Sequence, residues 1–248
     1  MALDRIYIRP YRPSDFPQIR ALFFEGFVTS EGSVAVVATR RSFYKFPAPI
    51  AYLLGGVGLA VLRLARAEPW AWTSPMVAAG ALLCAAPIAF FIFIRRAIPR
   101  ALIAFCESAL AADMRDIPAH YGADGFFVAV QPRDDPKPGE APQDEEVVGY
   151  VGLEYLPEKD PHTAEVRRMV VSAKYRRRGL AERLMRAVIA RGETIPGLRS
   201  IKLGTSEYQP SAQRLYERLG WVSAGGRTMR VGILLVYEYH FTRPVGKA

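Results

Sequence analysis

The chain has 248 residues, 50% of them hydrophobic and 23% charged, which suits one large domain or one domain with an appendage and excludes disorder as its main state. Two cysteines, Cys84 and Cys106, are too few for a disulfide scaffold, and three histidines without paired cysteine spacing leave no zinc or haem motif, so no metal is expected. The 33 Lys and Arg against 24 Asp and Glu give a net charge of +9, which favours an anionic partner: nucleic acid, an acidic lipid surface or a phosphorylated cofactor.

Asp4 and Arg5 occupy the place where a cleaved secretory signal needs an apolar core, so any membrane signal is internal. Residues 5–9 alternate like a strand, and Ser14 is placed to cap an amphipathic helix carrying Ile19, Leu22, Phe23 and Phe27. Residues 46–62 and 75–94 then hold no charge, separated by a short segment with Arg63, Arg66 and Glu68. As helices they reach roughly 26 Å and roughly 30 Å, against a hydrocarbon core of about 30 Å. From Pro87 to Ile94 the second is apolar on every face, unlike a surface helix, and Gly55, Gly56 and Gly58 give the first a smooth side for close contact.

A transmembrane hairpin is therefore expected over residues 46–94; the competing reading is a pair of helices buried in a soluble core. Arg40, Arg41 and Lys45 before the pair and Arg95, Arg96 and Arg100 after it outnumber Arg63 and Arg66 between the spans. The positive-inside rule then leaves both termini and the body in the cytosol. The expected organisation is residues 1–45 as the opening of one α/β domain, 46–94 as the hairpin, 95–243 as the remainder of the domain and 244–248 as a tail.

Beyond the hairpin, a helix is expected from Ala101 to about Met114, stopped at Asp116 and Pro118 because the residue before proline avoids the helical region. Strands follow at 125–130 and 147–156, joined by a solvated Pro-, Asp- and Glu-rich loop over 131–146. Then come a strand at 165–171, a helix at 179–191, a strand at 200–205, a helix at 210–219, and late strands near 221–223 and 231–241. His120 and His162 fall near strand ends and read as exposed loop histidines. Cys84 and Cys106 read as small buried residues rather than nucleophiles.

The most informative stretch joins the strand at 165–171 to the helix after it. Arg176, Arg177 and Arg178 crowd the amino end of that helix, where the dipole and unpaired N–H groups already supply positive potential. A bound phosphate reverses that local penalty, with Gly179 permitting close backbone approach; a solvated basic run is the plainer alternative. The pattern Arg176-x-x-Gly179-x-Ala181 between strand and helix resembles the acetyl-CoA pyrophosphate loop of the GNAT superfamily of N-acetyltransferases. Downstream, Leu215-Tyr216-x-x-Leu219-Gly220-Trp221 resembles that family's Leu-Tyr-x-x-Leu-Gly-aromatic signature. The opening from Ile8 to Asp15 is similar to the usual start of the fold. Glu165-Val-Arg-Arg-Met169, Gly204-Thr-Ser206 and the inserted apolar hairpin resemble the camello-like, membrane-anchored subgroup, which includes cysteine S-conjugate and aspartate N-acetyltransferases.

The resemblance implies a GNAT fold: an α/β molecule with a mixed, mostly antiparallel sheet, a splayed parallel strand pair and flanking helices, here with an inserted two-helix hairpin. It implies acetyl-CoA as cosubstrate, with pantetheine paired to main-chain groups of Met169, Val170 and Val171. The pyrophosphate would be held by Arg176, Arg177, Arg178, Gly179, Leu180 and Ala181. Tyr216 would protonate the leaving thiolate, or else merely pack with Leu215 and Leu219. Glu165 would take the proton of the acceptor ammonium, or else sit neutralised by Arg167 or Arg168. Period-two alternation puts Glu165 on one strand face with Arg167, Met169 and Val171. Gln209 stands where many relatives place an asparagine.

The expected activity is transfer of acetyl from acetyl-CoA to a primary amine of a small amphiphilic or amino-acid acceptor by direct attack, at an internal membrane such as the endoplasmic reticulum. A protein lysine or amino terminus is the second candidate acceptor, and a non-catalytic acyl-CoA-binding membrane protein is the reading from a different class. The expected partners are acetyl-CoA, an amine and a lipid bilayer, with a homodimer left open. Nucleic acid is not expected, since membrane flanks and the phosphate loop account for the basic charge.

Overall fold

The computed structural model describes residues 5–65, 75–133 and 144–246. Its centre is a seven-stranded sheet. Strands β1 (Tyr7–Pro10), β2 (Phe126–Pro132), β3 (Glu145–Glu154), β4 (Thr163–Val171), β5 (Ser200–Ser206), β6 (Val222–Val231) and β7 (Leu234–Pro244) lie in the order β1-β2-β3-β4-β5-β7-β6. Every neighbouring pair is antiparallel except β4 and β5. This is the mixed sheet that the family resemblance implies. The segment 66–74, with Arg66 and Glu68, and most of the acidic loop, 134–143, lie outside the described residues.

Helices α6 (Leu180–Glu193) and α7 (Pro210–Arg218) cover one face of the sheet. There Leu184, Met185 and Val188 pack with Val151, Ile201, Leu203 and Phe241. The opposite face is covered over β1–β4 by α1 (Phe16–Phe24), α5 (Ile117–Tyr121) and the end of α4 (Pro75–Ala111), with Ile19, Phe23, Cys106 and Ile117 on Val128, Val130 and Tyr150. A third cluster lies farther along that second face. In it Val34, Ala35 and Ala38 of α2 (Val34–Ser42) and Ile98 and Leu102 of α4 meet Val236, with Met229, Val231 and Leu234 beside them. A fully buried side chain of this kind stabilises the fold by about 1.5–3 kcal/mol.

Several local expectations change. Ser14 caps nothing; residues 13–15 form a short 3-10 turn in which buried Asp15 accepts the Arg12 N–H at 2.7 Å and pairs with Arg9 at 2.8 Å. Helix α2, absent from the sequence reading, is capped by Ser33, whose hydroxyl accepts the Val36 N–H at 3.3 Å. Pro118 does not close a helix but opens one: Asp116 accepts the Ala119 N–H at 3.0 Å and caps α5, where a proline in the first turn forfeits no bond.

The apolar segments form α3 (Ala48–Ala65) and the first half of α4, packed through small residues. A Cβ on Gly58 would stand 2.8 Å from Cys84 Sγ and from the Gly80 carbonyl oxygen, so these backbones touch only because both positions lack side chains. Outward, Leu53, Leu59, Leu82, Ile88 and Phe93 are exposed. Helix α4 runs on without a break past Ile94, through Pro87 and Pro99, to Ala111, so one rod joins the hairpin to the sheet. Among the described residues three helical stretches suffice by length and composition to cross a membrane: Pro13–Ser42, Ala48–Ala65 and Pro75–Ala111. The first lays Ile19 and Phe23, both 0% exposed, into the sheet core, whereas the other two turn large apolar side chains outward.

Candidate active site

The parallel pairing of β4 with β5 runs only from Thr163↔Ser200 to Val166↔Leu203. Both strands continue, β4 to Val171 and β5 to Ser206, each bonded on its far side to β3 and β7 respectively. Their facing edges therefore part beyond Val166 and leave main-chain groups between Arg167 and Val171 and of Gly204 and Thr205 open to a ligand, while the Val171 carbonyl accepts from Arg176 and both main-chain groups of Ser206 bond to Gln209.

At the same level β4 carries a bulge. Tyr150 pairs with Val170 and Gly152 with Arg167, so Val151 alone opposes Arg168 and Met169, and Arg168 takes a left-handed φ of 58°. The extra residue resets the alternation. Met169 and Val171 turn toward α6, while Val170 enters the opposite core against Gly26. Glu165 therefore shares its face with Arg167 but not with Met169 and Val171, correcting the strict period of two.

From Val171 the chain passes through a 3-10 turn at Ala173–Tyr175 to α6. Gly179 has φ 81° and faces open space where a side chain would begin, and the first bond of the helix is Arg183 N–H to Gly179 C=O at 3.1 Å. The N–H groups of Leu180, Ala181 and Glu182 are left without helical acceptors. Of the arginines, Arg176 is committed, donating to Val171 O at 3.3 Å, Glu31 O at 3.0 Å and Ser30 Oγ at 3.1 Å. Arg177, at φ 62°, makes no ion pair or hydrogen bond among the described residues, and Arg178 lies over the Tyr175 ring at 5.9 Å. Leu180 anchors the helix start in the core, with Ala181 packed beside it.

Tyr216 of α7 is buried on this same side of the sheet, its ring 6.2 Å from Trp221 and 5.8 Å from Phe241. Its hydroxyl has no hydrogen-bond partner among the described residues, and burial raises its pKa, which keeps the proton on oxygen. Gln209 serves the turn before α7, accepting Ser206 Oγ–H at 3.2 Å.

Beside the gap, the other face of β4, β5 and β7 carries polar side chains. Arg167 reaches Glu154 at 2.8 Å and Glu165 at 3.8 Å. His120 meets Glu154 at 2.5 Å, so it belongs to a side-chain network rather than to a free loop. Burial works to raise the Glu154 carboxyl, yet His120 and Arg167 outweigh it and hold that group below the usual range. On the β5 side of the gap, Gly204 pairs with His240 of β7 and Ser206 with Glu238. A Cβ on Gly204 would lie 2.7 Å from Glu238 Oε1, while Glu238 Oε2 stands 3.4 Å from His240 Nε2 and 3.2 Å from Arg227. His162 lies outside this site, against Gly197 O at 3.0 Å.

Beneath the bulge, Arg168 donates to both carboxylate oxygens of Asp113 at 2.8 and 2.5 Å, and Tyr121 donates to the same carboxylate. Its guanidinium lies over Phe23 and Phe105 at 5.8 and 5.9 Å. Burial pushes the Asp113 carboxyl up, but Arg168 and Tyr121 more than offset it and leave it below the usual range. Asp113, Glu154, Glu238 and His240 have no motif to mark them; each meets its partner from a distant part of the chain or from the facing strand.

Residues 103–221 match the family described as Acetyltransferase (GNAT) family. Human N-acetyltransferase 8B is 30% identical over 246 residues, spanning 95% of this chain and 93% of that protein. N-acetylaspartate synthetase of Danio rerio is 25% identical over 230 residues, spanning 90% of this chain and 68% of its own length. Among solved structures, Arabidopsis thaliana NAA60 in complex with acetyl-CoA aligns over 97% of this chain and 98% of that one, with 15% identity and a TM-score of 0.47.

Proposed function

The chain belongs to the GNAT acetyltransferase family and is an acetyl-CoA-dependent N-acetyltransferase, and on that footing we propose that it is a membrane-anchored enzyme whose acceptor is the primary amine of a small amino-acid or amphiphilic molecule. The observation that carries the reading is the strand gap beyond Val166 and Leu203, opening beside the turn into α6. Acetyl-CoA fits there: an amide-bearing arm suits unpaired strand edges, and a diphosphate suits free helix N–H groups beside Arg177 and Arg178. When bound, it supplies an acetyl group already activated as a thioester.

The residues divide the work by position. Main-chain groups of Met169, Val170 and Val171 bind the pantetheine arm, and Gly179, Leu180 and Ala181 present N–H groups to the diphosphate. Arg176 braces this turn against the loop before α2, leaving Arg177 and Arg178 to meet phosphate charge. An N–H freed at the bulge is aimed to hold negative charge developing on the carbonyl oxygen. Tyr216, kept protonated by burial, gives its proton to the departing sulfur. Glu165 stands on the polar face, where an ammonium group is oriented before attack.

Helices α3 and α4 act as the anchor, with Arg40, Arg41, Lys45, Arg95, Arg96 and Arg100 at the cytosolic side and the catalytic body beneath them. An internal membrane such as the endoplasmic reticulum is the proposed host. The names of the relatives, one an aspartate acetylating enzyme, favour an amino-acid acceptor over a protein lysine. The test is purified protein with acetyl-CoA and a panel of L-aspartate, cysteine S-conjugates and lysine peptides, read as free thiol. Thiol release with one small amine class supports the assignment, and background release with every small amine overturns it. Retention in membranes after carbonate washing supports the anchor, and release into the supernatant removes it.

A further inference from the structure

We propose that His240 and Glu238 form the proton-accepting dyad of the reaction, with His240 deprotonating the acceptor ammonium and Glu238 orienting the imidazole and the incoming amine. The inference rests on the direct-attack reading above and adds to it residues that no sequence motif marks.

The placement follows from strand parity. On β7, Tyr239 and Phe241 face the α6 core, so Glu238, His240 and Thr242 face the other way, as do Val236 and Leu234 farther along. Val236 is covered by α2 and α4; Glu238 and His240 lie just past that cover and remain partly open, with side chains 22% and 37% exposed. On β5 the buried residues Ile201, Leu203 and Thr205 alternate with Lys202, Gly204 and Ser206 on this same face. Glu238 and His240 thus sit one strand behind the β5 lip of the gap, paired with Ser206 and Gly204 at the level where β5 has already left β4.

Gly204 sharpens the point. Its missing side chain leaves room for Glu238 to lean over β5, because a Cβ there would collide with Oε1 at 2.7 Å. Arg227 Nε at 3.2 Å and His240 Nε2 at 3.4 Å both approach the same carboxylate oxygen, Glu238 Oε2. The charged groups sharing this face include Arg227 of β6, Lys202 of β5, Glu165 and Arg167 of β4, and Glu154 of β3 with His120 beside it. Glu165 is less suited to the task, since its carboxylate already faces Arg167 at 3.8 Å. Glu238 is also paired, but through it the imidazole gains an oriented base with a ring nitrogen left to meet the amine.

The proton balance closes. An ammonium that becomes an amide loses two protons: the first passes to His240 and then to water, and the second offsets the proton Tyr216 gives to the sulfur. The C–N bond forms as the C–S bond breaks, and the thiol leaves.

The test compares full-length wild type with His240→Gln, Glu238→Gln and Glu165→Gln in detergent, using L-aspartate and, as a nucleophile neutral at pH 7, hydroxylamine. His240→Gln is expected to lower kcat for L-aspartate by about 100-fold or more, with hydroxylamine turnover kept within a few-fold. Glu238→Gln should weaken calorimetric binding of L-aspartate to the CoA-saturated protein about 10-fold, yet leave succinate, which lacks the amine, unchanged. The inference is overturned if His240→Gln acetylates L-aspartate at the wild-type rate, if both nucleophiles lose equally, or if Glu165→Gln alone shows the amine-selective loss. Failure of acetyl-CoA itself to bind wild type would instead strike the cofactor assignment, which separates the two outcomes.

Discussion

At the scale of single residues, burial decides what two groups do. Tyr216 combines an apolar surrounding with an uncommitted hydroxyl, and Tyr216→Phe keeps the ring contacts with Trp221 and Phe241. That substitution is expected to cut kcat by about 100-fold while calorimetry finds the affinity for CoA unchanged. Asp113 is the opposite case, a buried charge with every partner in place. Asp113→Asn strands Arg168 between two aromatic rings, and a loss of about 3–5 kcal/mol is expected from denaturant midpoints at pH 7. The sign of the pH effect follows from its lowered pKa. The pair contributes fully above the unfolded carboxyl value of about 3.9, and the contribution disappears as pH falls through the lower folded value. Wild type and Asp113→Asn should accordingly converge in stability on acidification; a constant difference down to strong acid would count against the pair.

Among elements, the turn into α6 carries the clearest division of labour. Arg176 is spent on the loop before α2, so its replacement loosens structure, whereas Arg177 and Arg178 have no ionic partner among the described residues. Arg177→Ala and Arg178→Ala should each raise KM for acetyl-CoA about 10-fold, the size of one charge-assisted bond, with the thermal midpoint nearly unmoved. Sequence pattern marks this turn because Gly179, three arginines and a following apolar helix lie within a few residues. It marks the strand and helix order for the same reason: alternation and helical period are local signals. The bulge at Arg168 is illegible in sequence because it depends on Val151 of the neighbouring strand, and α2 is hidden because Val34 and Ala38 find their partners on α4 and β7. Glu238 and His240 lie in a stretch that reads only as a late strand. Their meaning comes from Gly204, more than thirty positions earlier and directly across the ladder.

For the molecule as a whole, the sheet is continuous along its antiparallel pairings and torn along part of the parallel one. Fold class is readable from the sequence because strands and helices alternate with clear local periods; the tear is readable only through family likeness. Its consequence is thermodynamic. A ligand that fills the seam acts as a removable strand, so the same bonds that recognise it also knit the two halves of the sheet. At a concentration 100 times Kd such a ligand adds about 2.7 kcal/mol to global stability, and a rise in Tm with CoA that vanishes when Arg177 and Arg178 are both replaced is the expected signature. Deuterium uptake should slow first in the amides of residues 167–171 and 204–205. The folded fraction of this protein in a cell is thereby tied to the supply of its own cosubstrate, and starvation for that metabolite would thin the enzyme as well as idle it.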